Sequence, residues 1–346
     1  MFEFSNYVDI SASVGAFTNN VSVYYYEPKF TTFVAVCAKN QVNLVQWDAK
    51  MGLIKTDIYQ IKEKNDDVSE TVIQAKLVAP TDRNLPVLVI TTLQHVRIYD
   101  IKTQKVLLSI MPETPKPIPL NDEDDSDELP PVIELYHISR GITCVDNTIL
   151  IGKHNGAIIV VQCSDTNVAL KNPLTAHDYP IVALATCAYD HVTVSADVNG
   201  SVNVWSRNLQ KVTKRISTGQ CISALNILRK HALCGTFQGQ VLLFSILTGE
   251  LVAEVTAHAR EVSAISVAPE SAYMLTASYD GNICIWKLHT RRPEAFNVEF
   301  RHCEKLENQM ITGAHFLNGR GNGFAATAYD YSRIAIFRIG RKTQSS

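Results

Sequence analysis

Apolar residues in this chain fall in short runs that end on an aromatic side chain. Val202-Asn203-Val204-Trp205, Val241-Leu242-Leu243-Phe244 and Ile283-Cys284-Ile285-Trp286 each place aliphatic residues three and one positions before the ring. Val96-Arg97-Ile98-Tyr99 and Ile334-Ala335-Ile336-Phe337 repeat the pattern, and Ile158-Ile159-Val160-Val161 repeats it with an aliphatic terminus. A seventh copy ends at Trp47, where Gln46 occupies one of the aliphatic positions and makes this the weakest repeat. Short runs of this kind, rich in β-branched residues, read as strands. Asn155-Gly156, Asn199-Gly200, Gln238-Gly239 and Asp280-Gly281 lie just before four of the runs, where a tight hairpin needs residues that tolerate positive φ. No stretch shows sustained helical periodicity with caps.

The runs end at positions 47, 99, 161, 205, 244, 286 and 337, separated by 52, 62, 44, 39, 42 and 51 residues. Three of those gaps, 44, 39 and 42, lie near the period of about 40–45 residues expected of a four-stranded propeller blade. The chain therefore reads as all-β, a single seven-bladed β-propeller domain over 1–346. Only nine residues follow Phe337, too few for another inner strand plus an outer one. The last sheet then needs an outer strand from within residues 2–14, which would close the ring and remove a sticky edge.

Composition supports a folded globular chain, with 46% hydrophobic and 19% charged residues in 346. A formal charge of −2 gives no electrostatic reason to expect nucleic acid or an anionic membrane as partner. Met1 to Ile10 carry Glu3 and Asp9, no Lys or Arg and no long apolar core, unlike a secretory signal. No apolar run approaches the roughly 18 residues of a membrane span. Eight cysteines without a C-x-x-C pair read as buried reduced thiols rather than disulfides or zinc ligands. A cytoplasmic location is the expectation, with a ciliary or cytoskeletal one beside it.

Two stretches depart from the period. The 62-residue gap contains Pro112, Pro115, Pro117, Pro119, Pro130 and Pro131 around Asp122, Glu123, Asp124, Asp125, Asp127 and Glu128. Residues 112–131 thus read as an acidic, Pro-rich disordered loop between blades two and three. It is either a tolerated insertion or a tether for a basic partner, with Ser126 a candidate phosphorylation site. A second insertion is expected around Arg291 to Gln309. The run Gly319-Arg320-Gly321-Asn322-Gly323 lacks the helix and the Lys-Ser/Thr of a phosphate loop and reads as a hairpin connection.

Two repeats share a polar signature. His177 precedes Trp205 by 28 residues and His258 precedes Trp286 by the same 28. Thr193 and Asp197 lie between the first pair, Thr276 and Asp280 between the second. Recurrence at one offset favours a structural network over a catalytic His258–Asp280 dyad. Such a network satisfies buried polar groups that would otherwise cost about 1–3 kcal/mol each. These sets resemble the histidine–threonine–aspartate–tryptophan networks of the WD-repeat β-propeller family, as does the dipeptide Trp47-Asp48. Ala176 and Ala257 stand where that family usually has glycine. Ala257-His258-Ala259-Arg260, Asp280 through Leu288, Gly321 through Ala325 with Tyr329-Asp330, and Asn19 through Val23 resemble the WD repeat-containing protein 54 family in particular. That resemblance implies a cytosolic, non-enzymatic propeller, with signalling scaffolds and ciliary assemblies both conceivable.

No G-x-S-x-G, H-E-x-x-H, P-loop or EF-hand spacing occurs, and His302-Cys303 has no further ligand at metal spacing. No catalytic residue, metal, cofactor or small-molecule substrate is therefore expected. Surface recognition remains. Phe237, Tyr279 and Tyr329, with His154 in the matching place, precede the turns and would recur on one rim. They are either contact surface or wedges between blades. Tyr179, Arg260 and Glu261 follow the two histidines and would lie on the same face. The expectation is a scaffold that binds other proteins or peptides, within a multiprotein complex. Rival readings are a ubiquitin-ligase substrate receptor, of which Tyr99-Asp100-Ile101-Lys102 is an echo, an enzyme with a channel site, and a ciliary or trafficking component.

Overall fold

A computed structural model describes residues 2–50, 52–61, 70–111, 139–289 and 297–340. They form seven four-stranded antiparallel sheets. Sheets one to six span 21–60, 72–110, 139–175, 181–217, 222–256 and 262–305, each with strands in chain order. Sheet seven spans 311–339 and takes its fourth strand from Phe2–Asp9, which pairs antiparallel with Arg333–Ile339. The N-terminus thus closes the ring as the lengths require. The acidic segment 112–131 lies outside the described residues.

The apolar pattern is a code for packing between sheets. In each run, the residues three and one before the terminus face the next sheet, and the terminus faces the previous one. Val202 and Val204 join Leu242 and Phe244 in one cluster; Val241 and Leu243 join Cys284 and Trp286 in another. Ile283 and Ile285 meet Ala335 and Phe337, while Ile334 and Ile336 meet Val45 and Trp47. Val96 and Ile98 meet Ile159 and Val161; Ile158 and Val160 meet Trp205. At the junction of sheets one and two, Gln46 stays half-buried. Val42, Leu44, Tyr59 and Ile61 supply that core with Tyr99 instead. Seven interfaces for seven sheets bury the aliphatic and terminal positions of these runs, because alternating side chains serve both neighbours.

Ring size is also written in the register. The pairing with the outer strand shifts at the terminus in sheets one, two, four, five and six, and at Phe337 in sheet seven. A bulge there bends the outer strand beside the large ring. In sheet three, where the terminus is Val161, the shift falls earlier, between Ile158 and Val160.

Within the second expected insertion, Asn297–Lys305 forms the nine-residue outer strand of sheet six. Residues 290–296 lie outside the described set.

A belt of hydrogen bonds ties the inner strands together. The Leu77 N–H donates to Ser22 Oγ (3.1 Å), Gly141 N–H to Gln74 Oε1 (2.8 Å) and Ser223 Oγ to the Val262 carbonyl (2.8 Å). Asn20, fully buried, donates to Gly15 O and Thr312 Oγ1 and accepts from Thr327 Oγ1. It stitches sheet one to sheet seven and satisfies its buried amide completely.

Candidate functional site at the propeller rim

Both histidine networks form. In sheet six, His258 Nδ1 lies 3.2 Å from Asp280 Oδ2 and Nε2 lies 2.9 Å from Thr276 Oγ1, which also accepts the Trp286 indole N–H at 3.0 Å. Burial alone would raise the Asp280 carboxyl. Hydrogen bonds from His258 and from the Ala259 and Asn282 N–H groups outweigh burial and hold it below the usual carboxylate range.

Sheet four corrects one residue. His177 Nδ1 lies 2.9 Å from Asp197 Oδ2, but Nε2 meets Ser195 Oγ at 2.7 Å, and Ser195 accepts the Trp205 N–H at 2.9 Å. Ser195 is ten residues before Trp205, as Thr276 is before Trp286. Thr193 instead contacts Thr186 Oγ1 at 3.0 Å, since a two-residue slip along a strand keeps the face and loses the reach. Asp197 stands two residues ahead of the Asn199-Gly200 turn, and its carboxylate still reaches the ring. Both histidine side chains are shut from solvent, 1% and 0% exposed, so these groups hold hairpins in place.

A third network escaped the sequence reading. In sheet two Glu70 contacts His95 Nδ1 and accepts the Thr92 hydroxyl. Here the acid precedes the inner strand and the histidine sits in the turn, a reversal of the other two that no fixed offset reveals.

The rim residues come together through the backbone. The N–H groups of Phe237, Tyr279 and Tyr329 donate to the carbonyls of Cys221, Glu261 and Met310, just ahead of the inner strand of the same sheet. Leu93 and Val198 do the same to Thr71 and Pro180. Hairpin ends and inter-sheet loops therefore share one rim. A Cβ on Gly156, whose φ is +80°, would lie 2.0 Å from the His177 carbonyl oxygen and 3.1 Å from that of Tyr179. The His154 turn accordingly abuts the Tyr179 segment, and only glycine fits there.

Phe237 is 41% exposed, Tyr329 48% and Tyr179 50%. Arg260 is exposed, whereas His154 and Glu261 are half-buried. Tyr279 departs from the free-surface reading: it is half-buried, and its hydroxyl donates to the Ala16 carbonyl at 3.2 Å. Its ring braces the segment that follows the closing strand. Leu93, Met310 and Phe17 are exposed on or beside this rim and were not anticipated. Leu93 occupies the Tyr279 place in a turn one residue shorter.

Arg140, on the inner strand of sheet three, lies within electrostatic reach of Tyr279 and of Glu261, which stands just ahead of the inner strand of sheet six. Burial pushes the Glu261 carboxyl up and Arg140 opposes it; burial, with Glu261, pushes the Tyr279 phenol up to about 12. Further in, burial lowers Lys76 to about 8, and burial, with the Lys76 charge, lowers His315 to about 4. A histidine pKa depressed by folding means that the unfolded chain binds the proton first. The stability His315 contributes is present above pH of about 6.5 and is lost as pH falls toward about 4, to a total of about 3 kcal/mol. Urea unfolding free energies measured from pH 7 to 4 should show this fall, and His315→Gln should flatten it.

The WDR54 family model matches residues 1–339. WD repeat-containing protein 54 of Homo sapiens is 31% identical over 226 residues, 62% of this chain and 66% of the human protein. WD repeat domain 54 of Rattus norvegicus is 32% identical over 210 residues, covering 58% of this chain and 63% of the rat protein. The matched stretch thus spans slightly under two thirds of these relatives' own lengths. A chain in the crystal structure of the mitotic checkpoint complex superposes with a TM-score of 0.74 at 14% identity, over 98% of this chain and 96% of that one. That likeness speaks for the fold alone.

Proposed function

The chain belongs to the WDR54 family, and from that premise we propose that it is a non-enzymatic scaffold which docks protein or peptide partners across one rim of the ring. The observation that carries this reading is the exposure of Phe237, Tyr329 and Tyr179 on hairpin ends and loops locked by backbone hydrogen bonds. Rigid aromatic side chains offer contact area at low entropic cost and dominate interface energetics. Arg260 beside them supplies an exposed charge for partner selection. The ring is a frame that keeps these groups at fixed separations while a partner spans several sheets. A cytoplasmic location fits this role, with cilia or the cytoskeleton as the places where a tagged copy would first be sought.

The substrate-receptor alternative rests on Tyr99-Asp100-Ile101-Lys102. Asp100 there accepts the N–H groups of Lys102 and Thr103 at 3.0 and 2.7 Å, capping its own turn, and Tyr99 and Lys102 stand where the Trp-Asp-x-Arg signature of such receptors has tryptophan and arginine.

The test is a combined Tyr179→Ala, Phe237→Ala, Tyr329→Ala variant of the full chain, compared with the parent by proximity labelling and pull-down. The variant should melt with the parent, because these side chains face water. Its partner recovery should drop at least about tenfold, the effect of losing one or more residues worth about 2 kcal/mol at an interface. Unchanged recovery of every partner would retire this rim as the docking surface.

A further inference from the structure

Cys284 and Cys303 are direct cross-strand partners in sheet six, on Asn282–His289 and Asn297–Lys305. Paired residues on one face of an antiparallel ladder have Cβ atoms about 4.5–5.5 Å apart, close to what a disulfide spans. Here the two sulfurs lie 2.9 Å from each other as free thiols. Cys303 is exposed and Cys284 is buried beneath it. Of the remaining six cysteines, Cys37, Cys163, Cys187 and Cys234 are buried, Cys144 is half-buried and Cys221 is exposed. Among the described residues Cys303 is thus the exposed thiol with a second thiol in contact.

We propose that Cys303 and Cys284 form a peroxide-oxidised dithiol site, in which Cys303 is the attacking sulfur and Cys284 the resolving one. Cys303 thiolate attacks one oxygen of hydrogen peroxide; the O–O bond breaks, the sulfur becomes a sulfenic acid, and the departing hydroxide takes up the proton released by the Cys303 thiol to give water. The Cys284 thiol then attacks the sulfenic sulfur, the S–O bond breaks, and the displaced hydroxyl takes up the thiol proton and leaves as water. Two thiols and one peroxide give one disulfide and two waters, and a dithiol reductant reverses the bond.

The environment divides the roles in the same way. The Cys284 hydrogen bond, with help from the Ile283 backbone, lowers the Cys303 thiol against burial and the Asp280 and Glu304 charges. The same hydrogen bond, then burial, pushes Cys284 up. Thiolate character and access select the first target of a peroxide. The product would pin the outer strand of sheet six beside the ring's seal, where the His302 ring lies 5.6 Å from that of Phe2.

The experiment treats the full chain with hydrogen peroxide, alkylates the remaining thiols with N-ethylmaleimide and maps the peptides by mass spectrometry. A Cys284–Cys303 linked peptide is expected, about 2 Da lighter than its reduced halves and abolished by dithiothreitol. Labelling of Cys303 should fall at least about tenfold. In Cys284→Ser the sulfenic acid has no resolving thiol, so dimedone should trap it on Cys303, with little adduct in the parent. Cys303 that stays alkylatable after peroxide would overturn the proposal, as would linkage only between chains through Cys221 or Cys303. Should Cys284→Ser fail to fold by circular dichroism, the linked peptide in the parent decides alone.

Discussion

Deleting residues 1–9 is expected to leave the ring open and the chain prone to association, and Phe2→Ala alone to cost about 3–5 kcal/mol. Phe2 is buried in the sheet-seven core, with its ring 5.4 Å from that of Phe324, which stacks on Phe337 at 4.7 Å. Truncation removes this ring and also strips the ladder from Phe2↔Ile339 to Asp9↔Arg333. Arg333–Ile339 then becomes an unpaired edge ready to recruit another chain. Phe4→Ala is the internal control, since Phe4 is 48% exposed and meets Phe337 only at its edge; it should cost about 1 kcal/mol or less. Urea denaturation ranks the two point variants, and sedimentation reads the association of the truncated chain. A synthetic peptide of residues 1–10 should restore the monomer. A truncated chain that stays monomeric with an unshifted midpoint would show that the seal is dispensable.

That closure could be read from the sequence because it follows from counting: a strand was missing at one end and a surplus segment lay at the other. The seven-fold repeat was legible for a related reason. Each run must satisfy two neighbours at once, so Val204 and Trp205 face opposite sheets and neither can drift without opening an interface. Where the rule loosens, the sequence says less. Gln46 breaks the pattern, yet sheet one forms because Val42 and Leu44 on the same face carry its core. The length of Asn297–Lys305 was hidden because an exposed outer strand has no inward face to impose alternation; its residues run from exposed to half-buried with none fully covered.

The rim was legible as a set of turns, since hairpin ends recur with the repeat and their positions follow from the runs behind them. Their partners were not. Arg140 lies in sheet three and Glu261 just ahead of sheet six, so their electrostatic interaction joins parts of the chain that no local pattern connects. The tether from Tyr279 to Ala16 has the same origin, because it joins sheet six to the segment leaving the N-terminal strand. Local pattern fixes which side chains leave the core, and tertiary closure decides which of those remain free.

Ser195→Ala should cost about 2–5 kcal/mol and Thr193→Ala only about 1–2 kcal/mol, the reverse of the order that the residue types at those positions suggest. Ser195 Oγ serves two buried nitrogens, His177 Nε2 and Trp205 Nε1; alanine leaves the indole N–H without this acceptor and His177 Nε2 with only the longer 3.4 Å contact to Asn203 Nδ2. Thr193 loses one hydroxyl contact, to Thr186, which retains Thr143 as a second at 2.9 Å. Thr276→Ala tests the same logic in sheet six, where one oxygen again serves His258 and Trp286; it should match Ser195→Ala. Combining Ser195→Ala with Trp205→Phe removes donor and acceptor together, so the pair should cost less than the sum of the single changes. Thermal and urea unfolding of these variants, with Trp205→Phe alone beside the double change, measures these differences. If Thr193→Ala proved the costlier change, the histidine would be held by a different hydroxyl and the two networks would not share one design. If the ranking holds, offset from the tryptophan is the reliable guide to such a hydroxyl in a propeller sheet, because it fixes both the face and the distance that the oxygen must span.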